Sequence, residues 1–196
     1  MILSNVDIHA AIDNGSIVVT PEPLPRFPSM ADPKCPYAST SLDLRLSPKL
    51  SRPKKVAGIN LDLRNLSVAP TLAALYEDIT IDPNNGYILE PNQFILGNTV
   101  EWVHLPVREG HSAFAARVEG KSSRARMGIL VHFTAPTIHA GFEGNITLEM
   151  INLGPFPLTL FPGIPICQLI FERVDHAPVK YATSQFQGQS APVGIK

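Results

Sequence analysis

Cysteine is scarce in this chain. Cys35 and Cys167 lie far apart and form no Cys-x-x-Cys pair, so no disulfide framework is expected, and buried or free thiols in a reducing cytoplasm are the simpler reading. An excess of charge of one sign is also lacking. Lys and Arg number 16 against 17 Asp and Glu, a formal net charge of −1, which leaves no global field to draw the protein to nucleic acid or an anionic membrane. Any anion site must therefore be a local cluster. No apolar run approaches the roughly 18 residues of a membrane-spanning helix. Residues 1–15 hold Asp7 and Asp13 but no Lys or Arg, so they do not read as a secretory signal. These absences point to a cytoplasmic protein with no membrane and no nucleic-acid partner.

Several chemistries are missing too. There is no P-loop, no Rossmann glycine pattern and no G-x-S-x-G elbow. The chain has six histidines (His9, His104, His111, His132, His139 and His176), yet none is followed two places on by Glu, and neither cysteine sits in P-C-x-x-C. The ligand set of a zinc deaminase is thus absent, and no catalytic metal is expected. His132, between Val131 and Phe133, reads as a packed or edge histidine.

Turn formers are plentiful. Nineteen prolines and 13 glycines punctuate short runs rich in β-formers. A short N-terminal helix is expected, capped by Ser4 or Asn5, with Val6, Ala10 and Ala11 on its apolar side and Gly15 at its end. Residues 21–40 form a proline-rich loop. SLDLRL (41–46) and INLDL (59–63) alternate at period two and predict strands, with a helical turn at 71–77. From Tyr87 onward the segments YILEP, QFILGNTVEWVHL, AFAARVEG, ILVHFTA, NITLEMIN, PLTLF and ICQLIFERV all read as strands. Their spacing of roughly ten residues predicts an all-β, mainly antiparallel sandwich or jelly roll. The length suits a single domain over residues 1–196, with a small, polar and mobile tail over about 182–196.

The segment 119–149, EGKSSRARMGILVHFTAPTIHAGFEGNITLE, holds the most chemistry. Lys121, Ser122, Ser123, Arg124 and Arg126 surround the start of a short predicted helix over 122–128, with a serine at its N-cap. A helix N-terminus with added cations and hydroxyls suits a phosphate; the string also suits a solvated basic turn. In NITLEMI, Thr147 and Glu149 share one strand face and Ile146, Leu148 and Met150 the other. If both faces are covered, burial should raise the Glu149 pKa towards that of a general acid/base. An ordinary exposed strand glutamate is the alternative.

The strings EGKSSRARMG and TAPTIHAGFEGNITLEMINLGP together resemble the dCTP deaminase pattern, a G-[RK]-S-S-x-A-R-x-G loop followed by T-A-x-x-I-x-x-G-[WF]-x-G…L-E. SLDLRL, LFPGIPICQLIF and QFQGQ resemble, in order, an early strand, a late strand pair and the C-terminal lid of the same branch of the dCTP deaminase/dUTPase superfamily. The resemblance implies a distorted, dUTPase-like jelly roll and a homotrimer with active sites at subunit interfaces. It also implies hydrolytic deamination of dCTP to dUTP and ammonia, Mg²⁺ travelling with the triphosphate, and dTTP as a candidate inhibitor. By position, Glu149 is the catalytic glutamate, and Ser122 and Arg126 flank the attacking water and the pyrimidine. Lys121, Ser123 and Arg124 fall in the nucleotide-binding loop, Thr147 in the base-reading strand, Tyr181 at a nucleotide-contacting tyrosine and Gln189 in the lid. Three positions depart from the pattern: Lys121 replaces an arginine, Gln185 a triphosphate-holding lysine, and His139 an aspartate near the sugar. In related dUTPases the corresponding aspartate activates water, so His139 weighs against a bifunctional enzyme giving dUMP. A non-catalytic nucleotide-binding regulator is the remaining alternative.

Overall fold

The structure, a computed structural model, describes residues 1–29, 34–64, 68–109, 112–176, 178 and 187–193. Ser4 caps helix α1 (Asn5–Asp13) through a capping box with Asp7. The helix buries Ile8, His9 and Ala11, whereas Val6 and Ala10 face solvent. Of the expected apolar side only Ala11 is buried. Ile8 and Ala11, one turn apart, are the side chains that reach the core.

The described strands are β1 (Val18–Thr20), β2 (Leu42–Pro53), β3 (Tyr76–Thr80), β4 (Tyr87–Leu89), β5 (Phe94–His104), β6 (Ala113–Gly120), β7 (Ile129–Val131), β8 (Thr137–Ile138), β9 (Glu143–Asn152), β10 (Leu158–Leu160) and β11 (Pro165–Val174). They pair in the order β7-β9-β5-β2-β11-β6-β8, with β1 added to β5 and β3 to β2, while β10 and β4 form a small second sheet. Every pairing of named strands is antiparallel. The mainly antiparallel all-β class read from the sequence is the one observed. No helix of the described residues is long and apolar enough to cross a membrane.

Two expected elements differ. INLDL forms no strand; Ile59, Leu61 and Leu63 are exposed, because no neighbouring strand supplies the ladder that alternation alone cannot make. The helical turn becomes α2 (Val68–Leu75) and stops before Tyr76, which opens β3 against Pro53 of β2.

The core lies under β2, β5, β9 and β11. Leu42, Leu44, Leu46, Leu148, Met150, Leu169 and Phe171 are all buried there, each contributing about 1.5–3 kcal/mol of apolar burial. In β9 the alternation is regular: Ile146, Leu148 and Met150 turn inward while Thr147 and Glu149 stay half-buried on the other face.

Gly128 and Gly154 lock the turn after the basic segment. Gly128 has φ +94° and lies against the backbone of Gly154, and a Cβ on Gly154 would sit 2.4 Å from the Met127 carbonyl oxygen. Backbone cannot yield there as a flexible side chain could. Gly154→Ala is expected to lower stability by about 2 kcal/mol, measured by chemical denaturation; an unchanged midpoint would show that the two turns can separate.

Candidate active site

The ladder of β9 defines the site. One edge pairs with β5 in the register Leu96↔Glu149, Gly97↔Leu148 and Asn98↔Thr147. On the other edge β7 covers only Met150 to Asn152, and the His132 N–H donates to the Glu149 carbonyl at 2.8 Å. At the far end the tail takes over. The Asn145 N–H donates to the Gln189 carbonyl at 3.0 Å, and the Gly188 N–H to the Glu143 carbonyl at 2.7 Å. Between these two attachments the edge is open. Antiparallel alternation turns the N–H and C=O of Thr147 to the same side as those of Asn145 and Glu149. They have no backbone partner among the described residues.

A cavity of about 390 Å³ fills this gap, large enough for a small ligand. Glu149, Thr147, His139, His132 and Ala135 line it, and Gln187, Gln189, Pro192 and Val193 of the tail close one side. The tail is held by side chains as well: the Gln189 amide donates to the Asn145 carbonyl at 2.8 Å and the Gln187 amide to the Gly141 carbonyl at 2.9 Å.

His132 is the residue the sequence reading undervalued. It is a buried histidine, as expected, but its Nδ1 lies 2.7 Å from Glu149 Oε2. Neither ring nitrogen meets strict hydrogen-bond angles, so this short contact is a bent one. Its backbone is left-handed, φ 54°, which ends β7 and swings the ring back over β9. Such a conformation in a non-glycine residue costs on the order of 1 kcal/mol and gathers at functional sites. Nothing in the string LVHFT announces it.

The expected rise of the Glu149 pKa is overturned. Burial, the largest single influence, pushes it up, but the His132 contact, the attraction between the two groups and the Glu149 backbone N–H together outweigh it, and the carboxyl ends below its ordinary value. Glu149 is held as a carboxylate, ready to accept a proton.

The basic segment lies elsewhere. Helix α3 (Ser122–Ala125) is a single turn whose N-cap is Lys121, not a serine, with no side-chain cap. The Lys121 ammonium is paired with Asp43 of β2. Ser122, Ser123 and Arg126 are exposed and Arg124 is half-buried; none of the four lines the cavity. A four-residue helix has little dipole to offer a phosphate, so the dipole argument for this loop fails and its charge must act directly. Within one chain the site residues read from the sequence therefore form two groups. Glu149, Thr147, His139 and Gln189 meet at the cavity, and the α3 group is apart from it. Tyr181 and Gln185 lie outside the described residues.

A family model described as dCTP deaminase-like matches residues 2–174. The chain belongs to the dCTP deaminase-like family. It is 35% identical over 196 residues to a Methanosphaera stadtmanae protein named "dCTP deaminase, dUMP-forming", covering 97% of this chain and 91% of that one. It is 34% identical over 197 residues to a Rhodospirillum rubrum protein named "dCTP deaminase", covering 98% and 95%. Among solved structures, the 2′-deoxycytidine 5′-triphosphate deaminase from Agrobacterium tumefaciens superposes with a TM-score of 0.61 at 23% identity. That match covers 89% of this chain and 48% of the Agrobacterium chain. It supports the fold of this dCTP deaminase-like chain.

Replacing His132 tests the electrostatics directly. His132→Leu removes both lowering influences of the imidazole and leaves burial opposed only by the Glu149 backbone N–H, so the Glu149 pKa is expected to rise above its present value. Carboxyl NMR titration of the two proteins measures this. An unchanged or lower midpoint would show that His132 does not hold Glu149 ionised.

Proposed function

We propose that this protein deaminates dCTP hydrolytically to dUTP and ammonia without a catalytic metal, Glu149 serving as general acid/base. The observation that carries the reading is an ionised, half-buried Glu149 beside the open backbone edge of Thr147, in a chain of the dCTP deaminase-like family. The Thr147 N–H and C=O offer one donor and one acceptor to the edge of a cytosine, which carries acceptor and donor groups side by side. A base seated there brings C4 towards Glu149.

Water held by Ser122 and the carbonyl near Ala135 attacks C4. Glu149 takes its proton and delivers it to N3. The tetrahedral carbon then loses its amino group as ammonia, Glu149 carrying the hydroxyl proton to the leaving nitrogen. This general acid/base work is worth about 10²–10⁴ in rate. Arg126 offsets the charge that develops on the attacking oxygen, and Lys121, Ser123 and Arg124 serve the phosphates together with Mg²⁺ carried by the substrate.

These roles require α3 to meet the cavity, which one chain does not achieve. A homotrimer in which a neighbouring copy presents α3 would complete each site and explain why Ser122 and Arg126 are exposed here. Co-expressing Glu149→Gln with Arg126→Ala chains tests this. Each variant alone is expected to be inactive, whereas mixed oligomers recover up to about a quarter of wild-type sites. No recovery in mixed oligomers would place both residues in the same subunit.

The names of the Methanosphaera stadtmanae and Tropheryma whipplei relatives favour a second reading, in which dUTP is carried on to dUMP. His139 disfavours it, since an exposed imidazole replaces the water-activating aspartate at the cavity. Glu149→Gln is expected to fold, to bind dCTP and to lose at least about 10³ in turnover, as followed by ammonia release; near-normal turnover would remove Glu149 from the chemistry.

A further inference from the structure

Glu149 belongs to a row of residues that crosses four strands. Glu149, Leu96, Ser51 and Asp78 stand opposite one another in turn on β9, β5, β2 and β3. Residues directly opposite project to the same face, and here it is the face turned away from the core side chains Leu148 and Leu50. The outer face of an antiparallel sheet is commonly solvated. This one is covered: Leu96 is 4% exposed and Ser51 is fully buried. Only at the far end does the row reach solvent, where exposed Asp78 accepts the Ser51 hydroxyl hydrogen bond at 2.7 Å.

Helix α2 supplies the cover. Ala69, Leu72 and Leu75 are half-buried at helical spacing, while Pro70, Ala73 and Ala74 face solvent. The last turn is tied to the end of β2. The Lys54 N–H donates to the Leu75 carbonyl and the Lys54 ammonium to the Ala74 carbonyl, both at 2.8 Å. From that anchor Leu72 reaches the Glu149 cavity and lines it together with Leu96. Neither leucine belongs to the hydrophobic core among the described residues. Apolar side chains that line one cavity with a carboxylate deny it water. The titratable groups lining that cavity besides Glu149 are His132 and His139. From β5, α2 and the tail come only uncharged side chains, and Asp78 of β3 is three strands away, about 14 Å.

We infer that α2 is the hydrophobic cover of Glu149 and that Leu72 is the positioning residue that keeps bulk water off its carboxylate. The cover is a property of the free protein; its use rests on the proposed deamination. A carboxylate stripped of water is the stronger base, and the one water admitted beside it meets no competitors. Leu72 acts through Glu149 and not on the nucleotide, so its loss falls on kcat and spares KM.

Leu72→Asn, a polar side chain of similar size, tests the cover. Burial is what pushes the Glu149 pKa up, so wetting the cavity is expected to move the carboxyl further below its ordinary value. Carboxyl NMR titration of the free protein reads that shift, and the acid limb of the kcat/KM profile should move to lower pH with it. The weaker base is expected to lower kcat about three- to tenfold with KM for dCTP unchanged. Leu72→Ala, which keeps helix propensity, carries the same expectation, whereas Leu72→Met should keep both the midpoint and kcat of the parent. Ala73→Asn, on the solvent face of α2, should move neither. A midpoint that stays or rises in the folded Leu72→Asn and Leu72→Ala proteins would overturn the inference. So would an equal shift in Ala73→Asn, or an effect confined to KM. The expected shift in a protein that leaves dCTP unchanged would uphold the cover and overturn the deamination reading.

Discussion

Strand β9 is paired along most of one edge, with a single break in register between Asn145 and Thr147, and along only the two ends of the other. The site depends on that unequal pairing. β5 fixes the register that puts Thr147 and Glu149 on one face, while β7 and the tail stop short of each other and leave Thr147 open. An unpaired stretch of strand edge is ordinarily a liability. Here it is short, it lies at the mouth of a cavity, and a planar heterocycle can occupy it. The left-handed His132 contributes to the same arrangement. Continuing β7 as a regular strand would cover the edge, and the turn at His132 both ends the strand and brings an imidazole to Glu149.

That imidazole settles which of two opposing effects governs the carboxyl. Burial alone would protonate Glu149 more readily and favour an acid. The neighbouring histidine and the Glu149 backbone N–H together outweigh burial, so the carboxyl is held below its ordinary value. In the proposed deamination Glu149 first takes a proton from water and only then gives it back, a role better started as a carboxylate.

Much of the fold was legible in the sequence because period-two alternation and dense turn formers leave few alternatives to an antiparallel sheet. The strings that became β5, β6, β9 and β11 carried both signals. INLDL carried only the alternation and made no strand, since alternation describes one surface and a strand also needs a neighbour. Glu149, Thr147 and Gln189 were legible through the family motif, and all three line the cavity. His132 was not. It matters through a backbone angle, which leaves no trace in local spacing. The direction of the Glu149 pKa was misread for the same reason, because its deciding neighbour is seventeen residues away along the chain.

Incubation of the purified protein with dCTP and Mg²⁺, after exhaustive chelation of zinc, followed by ion-exchange chromatography of the nucleotides, tests the central claim most directly. The account predicts a dUTP peak growing in step with released ammonia and undiminished by the chelator. Unchanged dCTP from a folded protein, or activity that returns only when zinc is restored, would contradict it.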